Sequence, residues 1–230
     1  MDTTRQRWEA LQERIAQAAA RAGRSPAEIT VVAVTKSRTP AQIDEAIACG
    51  LTLLGENRVQ EAEAKRDQVC GPAEWHLIGH LQTNKARRAA ALFHTVQSVD
   101  SQRVAEALEV HAAQAGRPLD VLLQVNSSGA PQQSGVAPEA AEELAAQVAC
   151  MPHLHVRGLM TIAEISPEEG PARGCFAGLR RTRDRLVTAR LSGVDMDCLS
   201  MGMSSDFEWA VAEGSTMLRL GTALFGPRGS

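Results

Sequence analysis

Ile29-Thr-Val-Val-Ala-Val-Thr-Lys36 is an apolar run of β-branched character that closes on a single lysine, with Pro40 shortly after. A strand exposed on one face alternates apolar and polar residues. A continuous run of this kind belongs to a strand covered on both faces, as in a parallel sheet. Lys36 is therefore expected at the carboxyl end of a buried strand, the edge at which α/β proteins gather their chemistry. Of the 24 basic residues only Lys36, Lys65 and Lys85 are lysines; arginine supplies the rest. A lysine kept at this place suits a task arginine cannot perform, Schiff-base formation through a desolvated amine. The alternative is a strand-end lysine that simply faces water.

Working outward from that strand, the pattern alternates. Thr3 to Arg21 has helical periodicity (Trp8, Leu11, Ile15, Ala18, Ala19), with Asp2 or Thr3 as cap and Gly23 as stop. Helices are expected at 41–49, 59–69, up to Phe93, 101–115, 138–151, within 167–191 and at 204–213. Strands are expected at 51–55, 74–78, 94–99, 118–125, 154–160, 194–199 and 216–220. Eight strands alternating with seven helices predict a closed (β/α)8 TIM barrel. An open doubly wound sheet usually has fewer strands, and no strand end here carries G-x-G-x-x-G. Few residues follow the eighth strand, so the amino-terminal helix is expected to fill the remaining place in the outer ring. No composition shift marks a linker, and residues 1–230 read as one domain.

A net charge of −3 and a pI near 6.1 give no field for nucleic acid, and Arg180, Arg181, Arg183 and Arg185 read as the wet face of a helix. Cys49, Cys70, Cys150, Cys175 and Cys198 are scattered, odd in number and without metal-ligand spacing. With no signal-peptide core and no membrane-length apolar run, the expectation is a reduced, cytoplasmic protein that lacks a structural metal.

In a barrel the residues after each strand share one face. Here they include Lys36, Glu56-Asn57, His80 with Asn84, Asn126-Ser-Ser-Gly129, Ser200-Met-Gly-Met-Ser204, and Arg219 with Gly221-Thr222. Glycines and a helix start after the seventh and eighth strands suit a phosphate, although Ser/Gly loops before helices are often only caps. Arg219 lies inside an apolar strand, where a charge needs a partner; an ion pair or a ligand at the barrel mouth would serve. A lysine with a phosphate cup implies a phosphorylated aldehyde or ketone. An aldolase of sugar phosphates and a holder of pyridoxal 5′-phosphate (PLP) both remain open at this point.

Val32-Ala-Val-Thr-Lys36, Leu54-Gly-Glu-Asn-Arg-Val-Gln-Glu61, His76-Leu-Ile-Gly-His-Leu-Gln-Thr-Asn-Lys85, Gly158-Leu-Met-Thr-Ile162, Leu199-Ser-Met-Gly-Met-Ser-Ser-Asp206 and Leu218-Arg-Leu-Gly-Thr222 resemble the YggS/PROSC family of PLP-binding homeostasis proteins. The likeness runs from about residue 5 to Gly226. It implies a barrel similar to the amino-terminal domain of alanine racemase, PLP fold type III, without a second domain. It implies further that Lys36 holds PLP as a Schiff base. Ser200, Gly202, Gly221 and Thr222 would belong to the phosphate loops, and Arg219 would face the pyridine nitrogen. Asn57, His80, Met160 and Met201 would surround the ring. One loop departs from the family pattern: where relatives carry a lysine in N-x-S-G-E-x-S-K-x-G, Gln133 stands here.

The resemblance implies a protein of vitamin B6 homeostasis that buffers PLP or delivers it to acceptor apo-enzymes, as a monomer and without robust turnover. An arginine opposite the pyridine nitrogen weakens the ring as an electron sink. Racemases sharing that arginine use a tyrosine as second base, and this chain has no tyrosine. A fold type III racemase or decarboxylase is the alternative, and an interaction protein with vestigial motifs the third reading.

Overall fold

The computed structural model describes residues 3–164 and 168–227. Asp2, the alternative helix cap, and Pro167, the expected start of a loop, lie outside the described residues. The eight strands are β1 (Thr30–Val34), β2 (Leu53–Glu56), β3 (Glu74–Leu77), β4 (Thr95–Val99), β5 (Leu119–Gln124), β6 (Leu154–Met160), β7 (Val194–Ser200) and β8 (Met217–Leu220). They pair in sequence order, all parallel, and β8 returns to β1 with Arg219 opposite Val32, so the sheet closes into a barrel. Closure leaves no edge strand to protect.

Seven helices connect the strands: α2 (Pro40–Ala48), α3 (Val59–Arg66), α4 (Ala86–Leu92), α5 (Gln102–Ala115), α6 (Ala141–Ala149), α7 (Glu169–Ala189) and α8 (Phe207–Ala212). Each turns an apolar stripe to the sheet. In α5 that stripe is Val104, Ala105, Leu108 and Ala112, the spacing of one helical face. Removing a side chain such as Leu108 from water contributes roughly 1.5–3 kcal/mol. The first helix, α1 (Thr4–Arg21), packs against α8 and α2, the position in the ring that the sequence left open. Its start is a capping box in which Thr3 Oγ1 accepts from Gln6 N and the Gln6 side chain accepts from Thr3 N.

Two departures from the sequence-based boundaries bear on the site. β1 stops at Val34, so Lys36 stands just beyond the ladder. After β8 comes a short helix, α9 (Thr222–Phe225), that was not anticipated, because four residues are too few to show a period.

Gly158 lies at a register shift where β6 meets β7. Its φ is +150°, and a Cβ there would fall 1.9 Å from the carbonyl oxygen of Cys198. The neighbour is backbone and cannot yield without breaking the ladder. Gly158→Ala is expected to destabilise the fold by roughly 2–3 kcal/mol or more, measured as a drop in denaturation midpoint with unchanged m-value.

Candidate functional site

The end of β1 is held by a compact polar clasp. Thr35 donates its N–H to Gly55 O at 2.9 Å and its hydroxyl to Glu56 Oε1 at 2.7 Å. Lys65, from α3, donates to Thr35 O, Glu56 Oε1 and Glu61 Oε1, each at 2.8 Å. Glu61 in turn accepts the N–H of Ser37, a non-glycine residue at φ +59°. A left-handed residue of this kind is strained and persists where its surroundings over-determine it. Burial raises the pKa of Glu56, and the bonds from Lys65 and Thr35 only partly oppose it. The clasp thus ends the strand, turns the chain sharply and leaves Lys36 on the cavity wall. Lys65 has all its donors engaged, whereas the amine of Lys36 makes no hydrogen bond or ion pair among the described residues.

Arg38 ties this turn to the end of the barrel. It donates to Gly226 O at 2.6 Å, and its guanidinium lies 5.4 Å from the ring centroid of Phe225. The β1 turn and α9, which follow neighbouring strands, are therefore fastened to each other at the cavity.

Arg219 comes from β8 and is 4 % exposed. Burial pulls its pKa down to about 10, so it remains charged near neutrality. No carboxylate bonds it among the described residues. Its Nη1 donates to Ser200 Oγ at 2.6 Å and its Nη2 to the carbonyl of Thr161 at 2.8 Å. Asp206, at the start of α8, acts on it only through space. A full cation thus stands in the wall held by neutral oxygens.

The loops after β7 and β8 meet through Ser204, whose Oγ accepts the N–H groups of Gly221 at 3.3 Å and Ala223 at 3.1 Å. The N–H groups of Ser204, Ser205 and Thr222 have no acceptor among the described residues. All three residues line the cavity, so the loop offers unpaired backbone donors to an anion.

On the opposite rim, Gly79 lets two loops touch. A Cβ there would lie 2.2 Å from Asn57 O. His80 follows, with Nδ1 3.2 Å from Asp100 Oδ2. Gln133 and its neighbours in the loop after β5 close the side, held by Asn126 Nδ2 donating to Ala130 O and Gln133 O.

Of the residues singled out from the sequence, Lys36, Asn57, His80, Arg219, Gly221 and Thr222 line one cavity of about 580 Å³ at the carboxyl ends of the strands. Met160, Ser200, Met201 and Gly202 do not line it. Ser200 is fully buried behind Arg219, and Met160 and Met201 are core side chains. Gly202 serves packing: its φ is +96° and a Cβ would fall 2.6 Å from that of Ala210. The donors beside the cavity are instead Ser204 and Ser205, four and five residues beyond Ser200 in the same loop. Sequence reading took the loop and missed which serine faces inward. Lys65 was also missed; its i, i+4 spacing from Glu61 was legible, but its bond to Thr35 O was not.

Behind Arg219, His76 is buried and its pKa falls from 6.5 to about 4, first through burial and then through repulsion from His94. The unfolded chain takes up a proton near pH 6.5 that the folded chain refuses until about pH 4, so stability must fall as pH is lowered through that window. The full effect is roughly 3 kcal/mol. Thermal melts at pH 7 and pH 4.5 are expected to show a larger loss for the wild-type chain than for His76→Gln.

Comparison with known proteins adds the following. The model for "Alanine racemase, N-terminal domain" matches residues 7–229. A pyridoxal phosphate homeostasis protein of Pseudomonas aeruginosa is 44% identical over 216 residues, 94% of this chain and 91% of that protein. The protein of the same name from Escherichia coli K12 is 41% identical over 222 residues, 95% and 94% of the two chains. The structure of PipY from Synechococcus elongatus, with PLP bound, superposes with a TM-score of 0.86 at 36% identity, covering 97% of this chain and 100% of that one.

Proposed function

This chain belongs to the alanine racemase N-terminal domain family and to its pyridoxal phosphate homeostasis proteins, and from that membership we propose that it binds PLP as a Schiff base on Lys36. The single observation that carries the residue assignment is the pairing, in one cavity, of a lysine amine without a partner among the described residues and a buried guanidinium held by neutral oxygens. The residues present fit the group. The Ser204 and Thr222 loops supply backbone donors for its phosphate, and Arg219 supplies a cation for the ring nitrogen. When bound, PLP supplies an electrophilic aldehyde carbon conjugated to a ring that can accept electrons.

What the chain does with it follows from the side chains. Lys36 binds and retains the aldehyde. The clasp of Lys65, Glu56 and Glu61 aims Lys36 and keeps the competing lysine occupied. Arg219 places a fixed positive charge where protonation of the ring nitrogen would add a second, which disfavours carbanion chemistry. The chain has no tyrosine to act as a second base. His80 lies at the rim with Asp100 and orders the mouth. These features support buffering and delivery of PLP to acceptor apo-enzymes in the cytoplasm, by residues 1–230 acting as one domain and as a monomer, rather than sustained turnover. The family name of the relatives supports the same role.

Lys36→Ala is expected to abolish the absorbance near ~420 nm that a bound PLP imine contributes, together with the borohydride-trapped adduct. Survival of either would place the cofactor on another amine. Sustained racemisation or decarboxylation by pure protein, lost in the same variant, would replace the buffering reading by an enzymatic one.

Ser204→Ala removes the shared acceptor that joins the two phosphate loops. Affinity for PLP is expected to fall roughly tenfold, with little change for pyridoxal, which lacks the phosphate. Titrations with the two vitamers measure the difference.

A further inference from the structure

A line of hydrogen bonds crosses the barrel interior behind Arg219. Such interiors are usually filled with branched apolar side chains. Here β3, β4, β7 and β8 each contribute a polar one: His76, Gln97, Ser200 and Arg219, none more than 4 % exposed. Arg219 Nη1 donates to Ser200 Oγ at 2.6 Å, Ser200 Oγ donates to Gln97 Oε1 at 2.7 Å, and Gln97 Nε2 meets His76 Nδ1 at 2.9 Å.

The cation at one end sets the direction of the bonds along this line. A guanidinium only donates, so Ser200 must accept from it and pass its own proton on. Gln97 then has its carbonyl committed to Ser200. Its two amide protons go to His76 Nδ1 and to the sulfur of Met217, 3.2 Å away. His76 Nδ1 must therefore be an unprotonated acceptor. With the Gln97 carbonyl on Ser200, every bond runs in one direction, from the cation to the imidazole.

The second arm of the guanidinium is fixed on Thr161 O at 2.8 Å. Two neutral anchors, one at the end of β7 and one just past β6, define the plane of the fork without neutralising it, as a carboxylate would. We propose that Gln97 and His76 are positioning residues, which hold Ser200 so that Arg219, bonded to no carboxylate among the described residues, presents its positive charge to the ring nitrogen of the bound cofactor. This rests on the PLP reading above. It assigns a task to two interior residues that touch neither Lys36 nor the cavity.

The test compares PLP with its 1-carba analogue, in which a CH replaces the ring nitrogen while aldehyde, hydroxyl and phosphate remain. Spectral titration of the wild-type chain should give tighter binding of PLP than of the analogue. Gln97→Met should lose roughly tenfold or more in PLP affinity and little for the analogue, so that the ratio between the two ligands collapses. Should Gln97→Met not fold, the pair His76→Gln and His76→Leu decides. Glutamine keeps an acceptor for Gln97 and should keep the ratio, whereas leucine should lose it. Equal losses for both ligands, or none, would overturn the positioning role while leaving the PLP reading intact. Absence of a borohydride-trapped adduct in the wild-type chain would overturn both.

Discussion

A guanidinium inside the barrel is the constraint from which much of this structure follows. Moving a lone cation out of water is expensive, and a protein interior tolerates it only when its donors are satisfied. The usual remedy is a carboxylate, which would also cancel the charge. Arg219 is held instead by a hydroxyl and a carbonyl. The hydroxyl must then find an acceptor, and that acceptor a further one, which accounts for Gln97 and His76 in a region that would otherwise be aliphatic. A charge kept this way is available to whatever occupies the cavity.

The neighbouring strand, β1, shows the reverse arrangement. The Lys36 amine has no partner among the described residues, while the backbone on either side of it is held. The chain therefore spends no interaction on the side chain and several on the residues beside it. Thr35 is bonded through its N–H and hydroxyl, and Ser37 is held in a left-handed conformation by Glu61. Lys65 joins all three partners with one ammonium group. The Lys65 amine is engaged and the Lys36 amine has no partner among the described residues. Arg38 then ties the turn after β1 to α9 through Gly226 O and the ring of Phe225.

Small residues set the distances. Gly79 lets the Asn57 backbone pass, and Gly202 lets the loop after β7 lie against α8. Cavity shape is thus decided in part by backbones in contact rather than by flexible side chains alone.

The strand and helix rhythm was legible because the strands are short, largely apolar runs and the helices carry apolar stripes of their own period; Ile29 to Lys36 and the α5 stripe are the clearest cases. Lys36, Arg219, Gly221 and Thr222 could be placed on one face for the same reason, since parallel strands all end at the same rim. Tertiary structure alone decided which side chains of the Ser200–Asp206 loop turn inward, because a loop without a period gives no orientation to its residues; Ser200 went to Arg219 and Ser204 to the α9 backbone. It also decided that Lys65 is bound and Lys36 free. Lys36 follows a strand and Lys65 lies in the last turn of α3, and only the three-dimensional distance to Thr35 and Glu56 shows which of the two is bound.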